Sequence, residues 1–348
     1  MVLLYNGYNI ARLLARAEWS GDIQQAPRTL RVTLLWSDTD AGYPRELIGN
    51  IQCGDRMTLY ADNGAQLFVG RIFDLGRTLG ETSRTYTLYD GCIHLTKSKI
   101  VHNFYKVSPE EVVRRACALV GVTAGSLASG AGLELTFAHI SKTAYSAILG
   151  AYTQVAQITG KEYFVYEDDG AVCVGEIGGI MARRTLSSSR DIVKASYTSN
   201  LDSAVTRVLV ATSAGKIVDT VSQGVEQYGV LQDVTEPDKG EDPAAKARKM
   251  LAGPDNQATL SEIIGGPDAL DLVAGNTVAV EEPVTGLYGV FYITNDSHTF
   301  ENAQHRVSLG LSFEMAMTKE ELDLKREGSG KSKNSDPHAS ARLVGKDL

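Results

Sequence analysis

Few residues in this chain stand at spacings that could do chemistry. Gly330-Lys331-Ser332 has the ending of a phosphate-cradling loop. That loop needs a glycine five positions before its second glycine, with a strand before and a helix after. Position 325 is Lys325, and the surrounding Gly328-Ser329-Gly330-Lys331-Ser332-Lys333-Asn334-Ser335 reads as linker. Asp38-Thr39-Asp40-Ala41-Gly42 has the acidic spacing of a calcium loop, but its glycine comes fifth rather than sixth and Gly49 stands where the twelfth-position Glu belongs. A polar turn is the expected reading. The six histidines form no HExxH and no pair at metal-ligand spacing. His298, in Asp296-Ser297-His298-Thr299-Phe300, has the chemistry of a general base; the preferred reading is a strand histidine packed at a loop edge. There is no GxSxG elbow and no Cys-His arrangement that stands out. Carboxylates are plentiful, so a glycosidase-type pair stays open, but the pattern singles out no two of them. The sequence assigns no catalytic, cofactor-binding or metal-ligating residue, and no cofactor.

The elements that would position a site show more order than the candidates themselves. Cys53-Gly54-Asp55-Arg56-Met57-Thr58-Leu59 is a turn feeding a strand, followed by Leu67–Phe73 and Thr85–Leu88. The same texture returns at Ala274–Val280, Leu287–Ile293 and Val307–Leu309. Gly54 and Gly275 are 221 positions apart, as are Tyr86 and Val307, and Leu88 and Leu309. Three strand signals in one order at nearly one offset imply a duplicated β-domain, two copies being too few for a solenoid. Strand edges near Gly54, Asp55, Gly70, Gly275, Asn276 and Gly289 are the candidate interface positions, where backbone must turn or approach closely. Ordinary turn glycines are the competing reading.

The 348 residues suffice for two or three domains. Hydrophobic residues make up 43% and charged residues 22%, a globular balance. With 42 Asp and Glu against 34 Lys and Arg, the net charge is −8, which disfavours a protein that grips nucleic acid by its phosphates. No apolar run approaches the ~20 residues of a membrane helix, and the start lacks a signal-peptide pattern. Cys53, Cys92, Cys117 and Cys173 are widely spaced, so buried free thiols are expected.

Taken in order, Val2–Tyr5 and Asn9–Leu14 read as strands about Asn6-Gly7, Trp19–Asp22 as a turn, and Arg28–Trp36 as an alternating strand. Ser108-Pro109-Glu110-Glu111 is a capping box, and the apolar stripe behind it runs to Gly121. A second helix is expected from Ser141 or Thr143 to Gly160, then a hairpin about Asp168-Asp169-Gly170. Strands resume at Ile192–Tyr197, Thr206–Ala211 and Lys216–Val221. Asp242-Pro243 caps a further helix. Thr318–Glu327 suits a short helix. The expected class is α+β, mainly antiparallel β: two tube-like β-barrel domains with a small α+β unit between them. The boundaries are 1–103, 104–185, 186–318 with a helical insertion about 240–266, and 319–348 as short helix and flexible tail.

The chain resembles the baseplate hub family of contractile phage tails and tail-like bacteriocins, often labelled late control protein D. The resemblance covers roughly 5–317. It rests on Trp19-Ser20-Gly21-Asp22 followed by Arg28-Thr29-Leu30, on Leu88-Tyr89-Asp90 followed by Leu95–Lys99, on Lys161–Val165, and on Gly286–Tyr292 with His298-Thr299-Phe300. It implies a non-enzymatic homotrimer whose two barrels per chain form a pseudo-sixfold ring between a hexameric tail tube and a trimeric spike. It also implies contacts with the tail tube ring, the spike, and other baseplate and LysM-type tail proteins, in a virion tail assembled in the bacterial cytoplasm. An acidic lumen would let DNA pass without specific binding. Two alternatives stay open: a cell-wall hydrolase delivered by the tail, and a wall-binding module at 107–180.

Overall fold

The computed structural model describes residues 1–237, 242–314, 317–322 and 324. The chain opens with strands β1 (Val2–Tyr5), β2 (Tyr8–Asn9), β3 (Leu14–Asp22) and β4 (Gln25–Leu35), then helix α1 (Arg45–Gly49) and strands β5 (Arg56–Tyr60), β6 (Gln66–Leu75) and β7 (Ser83–Tyr89). Helix α2 (Cys92–Lys97) leads into β8 (Lys99–Val107), α3 (Pro109–Val120), β9 (Thr123–Leu127), β10 (Leu135–Thr143), α4 (Ala144–Thr159), β11 (Tyr163–Asp168) and β12 (Ala171–Glu176). There follow β13 (Leu186–Ser187), β14 (Lys194–Asn200), β15 (Arg207–Ala211), β16 (Ile217–Ser222), α5 (Val225–Tyr228), β17 (Gln232–Thr235) and α6 (Pro243–Met250). The last strands are β18 (Asp255–Ile264), β19 (Thr277–Glu282), β20 (Leu287–Glu301) and β21 (Gln304–Ser312).

The two Gly-led turns fold alike. Gly54 has φ +92° and Gly275 φ +94°, a region costly to residues with a Cβ. Gly54 N–H donates to Ile72 O and Ile72 N–H to Asp55 O; 221 positions on, Gly275 N–H donates to Ile293 O and Ile293 N–H to Asn276 O. The ladders repeat residue by residue. Met57 faces Gly70 and Leu59 faces Phe68 on β5–β6; Val278 faces Phe291 and Val280 faces Gly289 on β19–β20. Both copies bulge at one place, between Ile72 and Asp74 and between Ile293 and Asn295.

The offset then changes. Leu75 pairs Tyr86, whereas Asp296 pairs Leu309, so the β20–β21 hairpin is two residues longer and Tyr86 corresponds to Leu309 rather than Val307. The strand order β3-β4-β7-β6-β5 in the first unit matches β14-β18-β21-β20-β19 in the second. Alternation buries the matching face of each: Leu30 and Val32 on β4, Ala258 and Leu260 on β18, at equivalent ladder positions.

The structure departs from expectation in several places. All these strands belong to one 13-stranded sheet, and the described strands close no barrel, because β3 spends its outer edge on β20 of the other unit. Trp19–Asp22 is strand rather than turn, and Ala11–Leu13 is a 3-10 turn rather than strand. The expected helical insertion over 240–266 is helical only at Pro243–Met250; Asp255–Ile264 is strand β18. Its buried Ala258 and Leu260, and Ile263 beyond a bulge, belong to the sheet core. Thr206–Ala211 and Lys216–Val221 lie in a separate sheet of order β16-β15-β17, whose Val208 and Val210 pack on Ala247 of α6. Residues 317–322 are not helical, and the remainder of the expected short helix and the 328–348 tail lie outside the described residues, apart from Leu324.

The two expected helices and the hairpin of the middle unit are present, while strands β9 and β10 are additional and β8 runs across the expected boundary at 103/104. Ser108 Oγ accepts from Glu111 N–H, Pro109 opens α3, and Gly121 at φ +76° ends it. Thr143 caps α4 and Gly160 closes it. Against these helices pack the β8–β10 pair and the β9–β12–β11 sheet, through Phe104, Phe137, Tyr152 and Val165.

Candidate functional site

The place where the three units meet is the joint between β3 and β20. Seven residue pairs run antiparallel from Asp22–Asn295 to Arg16–Glu301. On β3, Ala17 and Trp19 face the core while Arg16 and Glu18 pair outward. Opposite them stand Phe300 and His298.

Arg28 on β4 ties the joint together. Its Nη1 donates to Asp296 Oδ1 at 3.0 Å and its Nη2 to Asp296 Oδ2. The guanidinium carbon lies 4.1 Å from the Trp19 ring centroid, so the cation also stacks. Gly21 makes this feasible: a Cβ there would stand 2.3 Å from Arg28 Nη1. Asp296 also accepts from Ala274 N–H at 2.7 Å, coupling the pair to the Gly275 turn. Arg28 N–H meanwhile donates to Asp90 Oδ2 at 2.9 Å, at the entrance to the middle unit. One residue thus ties Trp19 and Asp90 of the first unit to Asp296 of the second.

Asp90 is buried, with its second oxygen accepting from Cys92 N–H at 3.0 Å. Burial, then the nearby Glu167 carboxylate, pushes Asp90 up to about 8 despite these bonds. Glu167 accepts from Gly91 N–H and is pushed up to about 7, mainly by burial, with Arg56 opposing. Both oxygens of Asp90 and Oε2 of Glu167 thus accept from backbone N–H groups.

His298 is fully buried on β20, as a packed strand histidine should be. Its Nε2 lies 3.0 Å from Leu272 O, which can only accept, so Nε2 carries the proton and Nδ1 accepts from His305 Nε2 at 3.0 Å. Burial lowers the pKa of both, that of His305 to about 4, so the stack of Phe300, His305 and His298 is neutral. Among the described residues, no group of three or more His, Cys, Asp or Glu could hold a metal, and no helix is long and apolar enough to cross a membrane. Cys92, Cys117 and Cys173 are buried free thiols, whereas Cys53 is exposed, contrary to the expectation for all four.

Of the six candidate interface positions, Gly275 and Asn276 adjoin this joint through Ala274, and Gly54, Asp55, Gly70 and Gly289 are not among its contacts. Gly54 and Asp55 open β5, where Asp55 Oδ2 accepts from Tyr5 Oη at 2.8 Å and Gln52 N–H at 2.9 Å. Gly275 and Asn276 open β19, where Asn276 Nδ2 donates to Asp271 O at 2.9 Å and a Cβ on Gly275 would strike the Phe164 ring at 2.2 Å. Gly70 crosses Tyr89 so closely that a Cβ would be 2.3 Å from the Tyr89 carbonyl oxygen. Gly289 is exposed at φ +137° with open space around it; its ladder equivalent is Phe68, not Gly70. Trp19 and Arg28 stand in segments that carry the resemblance and Asp296 beside His298, but nothing in their spacing assigns them to one contact. The available signal was a glycine inside an alternating run, Gly21, which marks a strand that must admit something bulky.

A protein-family model described as YQBQ-like matches residues 17–312. The chain is 23% identical over 300 residues to the phage-like element PBSX protein XkdQ of Bacillus subtilis (strain 168), covering 83% of this chain and 89% of that protein. Its fold matches the 43 kDa tail protein of prophage MuSo2 from Shewanella oneidensis with a TM-score of 0.70 at 13% identity, over 89% of this chain and 97% of that one. The tail protein from Neisseria meningitidis MC58 matches with a TM-score of 0.63 at 14% identity, over 89% and 95%.

Proposed function

This chain belongs to the YQBQ-like family, and we propose that it is a structural protein of a phage-like tail, the hub that adapts a hexameric tail tube to a trimeric spike. Three copies form a ring in which the two β-units of each chain take alternate places, so that six similar units surround a channel. Residues 1–103 and 186–318 supply those units. The 104–185 unit braces them from outside. Tube ring, spike, further baseplate proteins and LysM-type tail proteins are the partners of this reading, in the tail of a phage or bacteriocin, and DNA passes the acidic chain without specific binding.

One observation carries the proposal: the order β3-β4-β7-β6-β5 and the β5–β6 register recur in β14-β18-β21-β20-β19 and β19–β20, inside one sheet. Two equivalent units in one polypeptide let a threefold assembly present sixfold-like faces. The similarity to prophage tail proteins supports the setting. The role is non-enzymatic, in keeping with polar groups at the joint that hold backbone and one another. Sedimentation of the full chain over a range of concentrations tests it: a species of three times the monomer mass is expected, and a chain that stays monomeric counts against it.

A further inference from the structure

We infer that the outward face of the β8–β10 pair in one chain, centred on Val101 and Ile140, covers the outward face of β19–β20 in the next chain, centred on Tyr288 and Val290. This rests on the ring reading above and says which surfaces of neighbouring chains meet.

The internal repeat shows where a cover is missing. Met57–Gly70 and Val278–Phe291 are equivalent ladder pairs, so Val69 corresponds to Val290 and Leu67 to Tyr288. In the first unit the chain covers this face itself. The β11–β12 turn lies over it: a Cβ on Gly170 would stand 3.8 Å from Val69 Cγ1, in van der Waals contact, and Gln66 Nε2 donates to Asp169 Oδ1 at 3.0 Å. Val69 is accordingly 7% exposed. In the second unit the chain's own cover reaches Tyr292, where a Cβ on Gly178 would stand 2.6 Å from Tyr292 Cε1. Beyond it, Val290 is 57% and Tyr288 75% exposed.

The middle unit has a bare face of its own. Alternation on β8–β10 turns Phe104 and Phe137 into the core and Val101, Tyr105 and Ile140 outward, with Val101 directly opposite Ile140. All three are at least 61% exposed among the described residues, and contiguous apolar surface of this kind marks a contact. Each chain carries one face of each kind, and both are bare within the chain, so the cover comes from another copy. A contact between unlike faces is head-to-tail, and three copies can close it into a ring. The charges agree. Exposed Lys99 and Lys106 stand on β8 to either side of Val101 and Tyr105, Lys106 with its ammonium 6.0 Å from the Tyr105 ring centroid. Exposed Glu281 stands opposite Tyr288 on the other face. Docking either face on its own kind would oppose like charges, whereas the mixed contact sets lysine against glutamate around two apolar centres.

Sedimentation equilibrium of the full chain tests it. Ile140→Ser and Val290→Ser are each expected to weaken self-association at least about tenfold, the effect of losing one buried aliphatic contact. Both residues are exposed in the single chain, so the melting temperature of the dilute monomer is expected to hold. The double variant is expected to be weakened about as much as either single one, because both substitutions remove the same contact. Val234→Ser, at a similarly exposed residue of β17, is expected to leave association unchanged. If the parent forms a trimer that both single variants form as tightly, the pairing is overturned while the ring stands. If only one variant weakens it, or the double variant multiplies the two losses, the faces meet different surfaces and the pairing is again overturned. If the parent forms no trimer at any concentration, the ring and this contact both fall.

Discussion

Arg28 holds Asp296 in a two-pronged pair across the boundary between the β-units, with side chains 13% and 0% exposed. The residues are 268 positions apart, so this contact reports directly on the joining of the two units. Removing one partner of a buried pair leaves the other charge uncompensated, at a cost of about 3–5 kcal/mol. Arg28→Ala is expected to destabilise the chain by that amount in urea unfolding. Arg28→Lys, which keeps the charge but loses the fork, is expected to fall between it and the parent.

The equivalent turn glycines are not equally replaceable. Gly54 has open space around its missing Cβ, so Gly54→Ala costs the positive-φ strain alone, about 1–2 kcal/mol. Gly275→Ala adds a collision with the Phe164 ring, and Gly70→Ala a collision with a backbone carbonyl. Thermal unfolding is expected to rank Gly54→Ala as the mildest of the three.

Stability is expected to fall as pH rises through the neutral range. Asp90 and Glu167 hold protons up to about 8 and about 7 when folded, against ordinary values of 3.8 and 4.5. Their contribution is fully present below those ordinary values and is lost as pH climbs through the folded ones. His305, lowered to about 4 from 6.5, acts in the opposite sense, losing stability as pH falls between those values. Glu167→Gln isolates the first effect: its melting temperature is expected to drop less than the parent's between about pH 5 and pH 8.

The cap on α3 provides a local calibration. Ser108→Ala deletes the bond to Glu111 N–H and is expected to cost about 1 kcal/mol by urea unfolding. It should leave association between chains unchanged, since Ser108 lies outside both β-units and its hydroxyl caps α3.

Local signals were legible and long-range ones were not. Ser108, Pro109 and Gly121 bounded α3, and the spacing of Gly54 and Gly275 disclosed the repeat, because caps and positive-φ turns depend on a few adjacent residues. Trp19–Asp22 read as a turn because Ser, Gly and Asp favour turns; the structure makes it strand, since Gly21 admits a guanidinium from β4. The two extra residues in the β20–β21 hairpin also stayed hidden, so Leu88 was matched with Leu309 where the ladder matches Leu311. Asp255–Ile264 lacked local strand boundaries, and its identity depends on pairing with β14 and β21. The Arg28–Asp296 contact spans nearly the whole chain, beyond any reading of neighbouring residues.

The central claim is that two equivalent β-units per chain let three copies imitate a sixfold ring. Three-dimensional image reconstruction of the assembled particle, with threefold symmetry alone imposed, tests it most directly. Six similar β-units around one channel, alternating between residues 1–103 and 186–318, are expected. Units that lie off a common ring, or a copy number other than three, would contradict it.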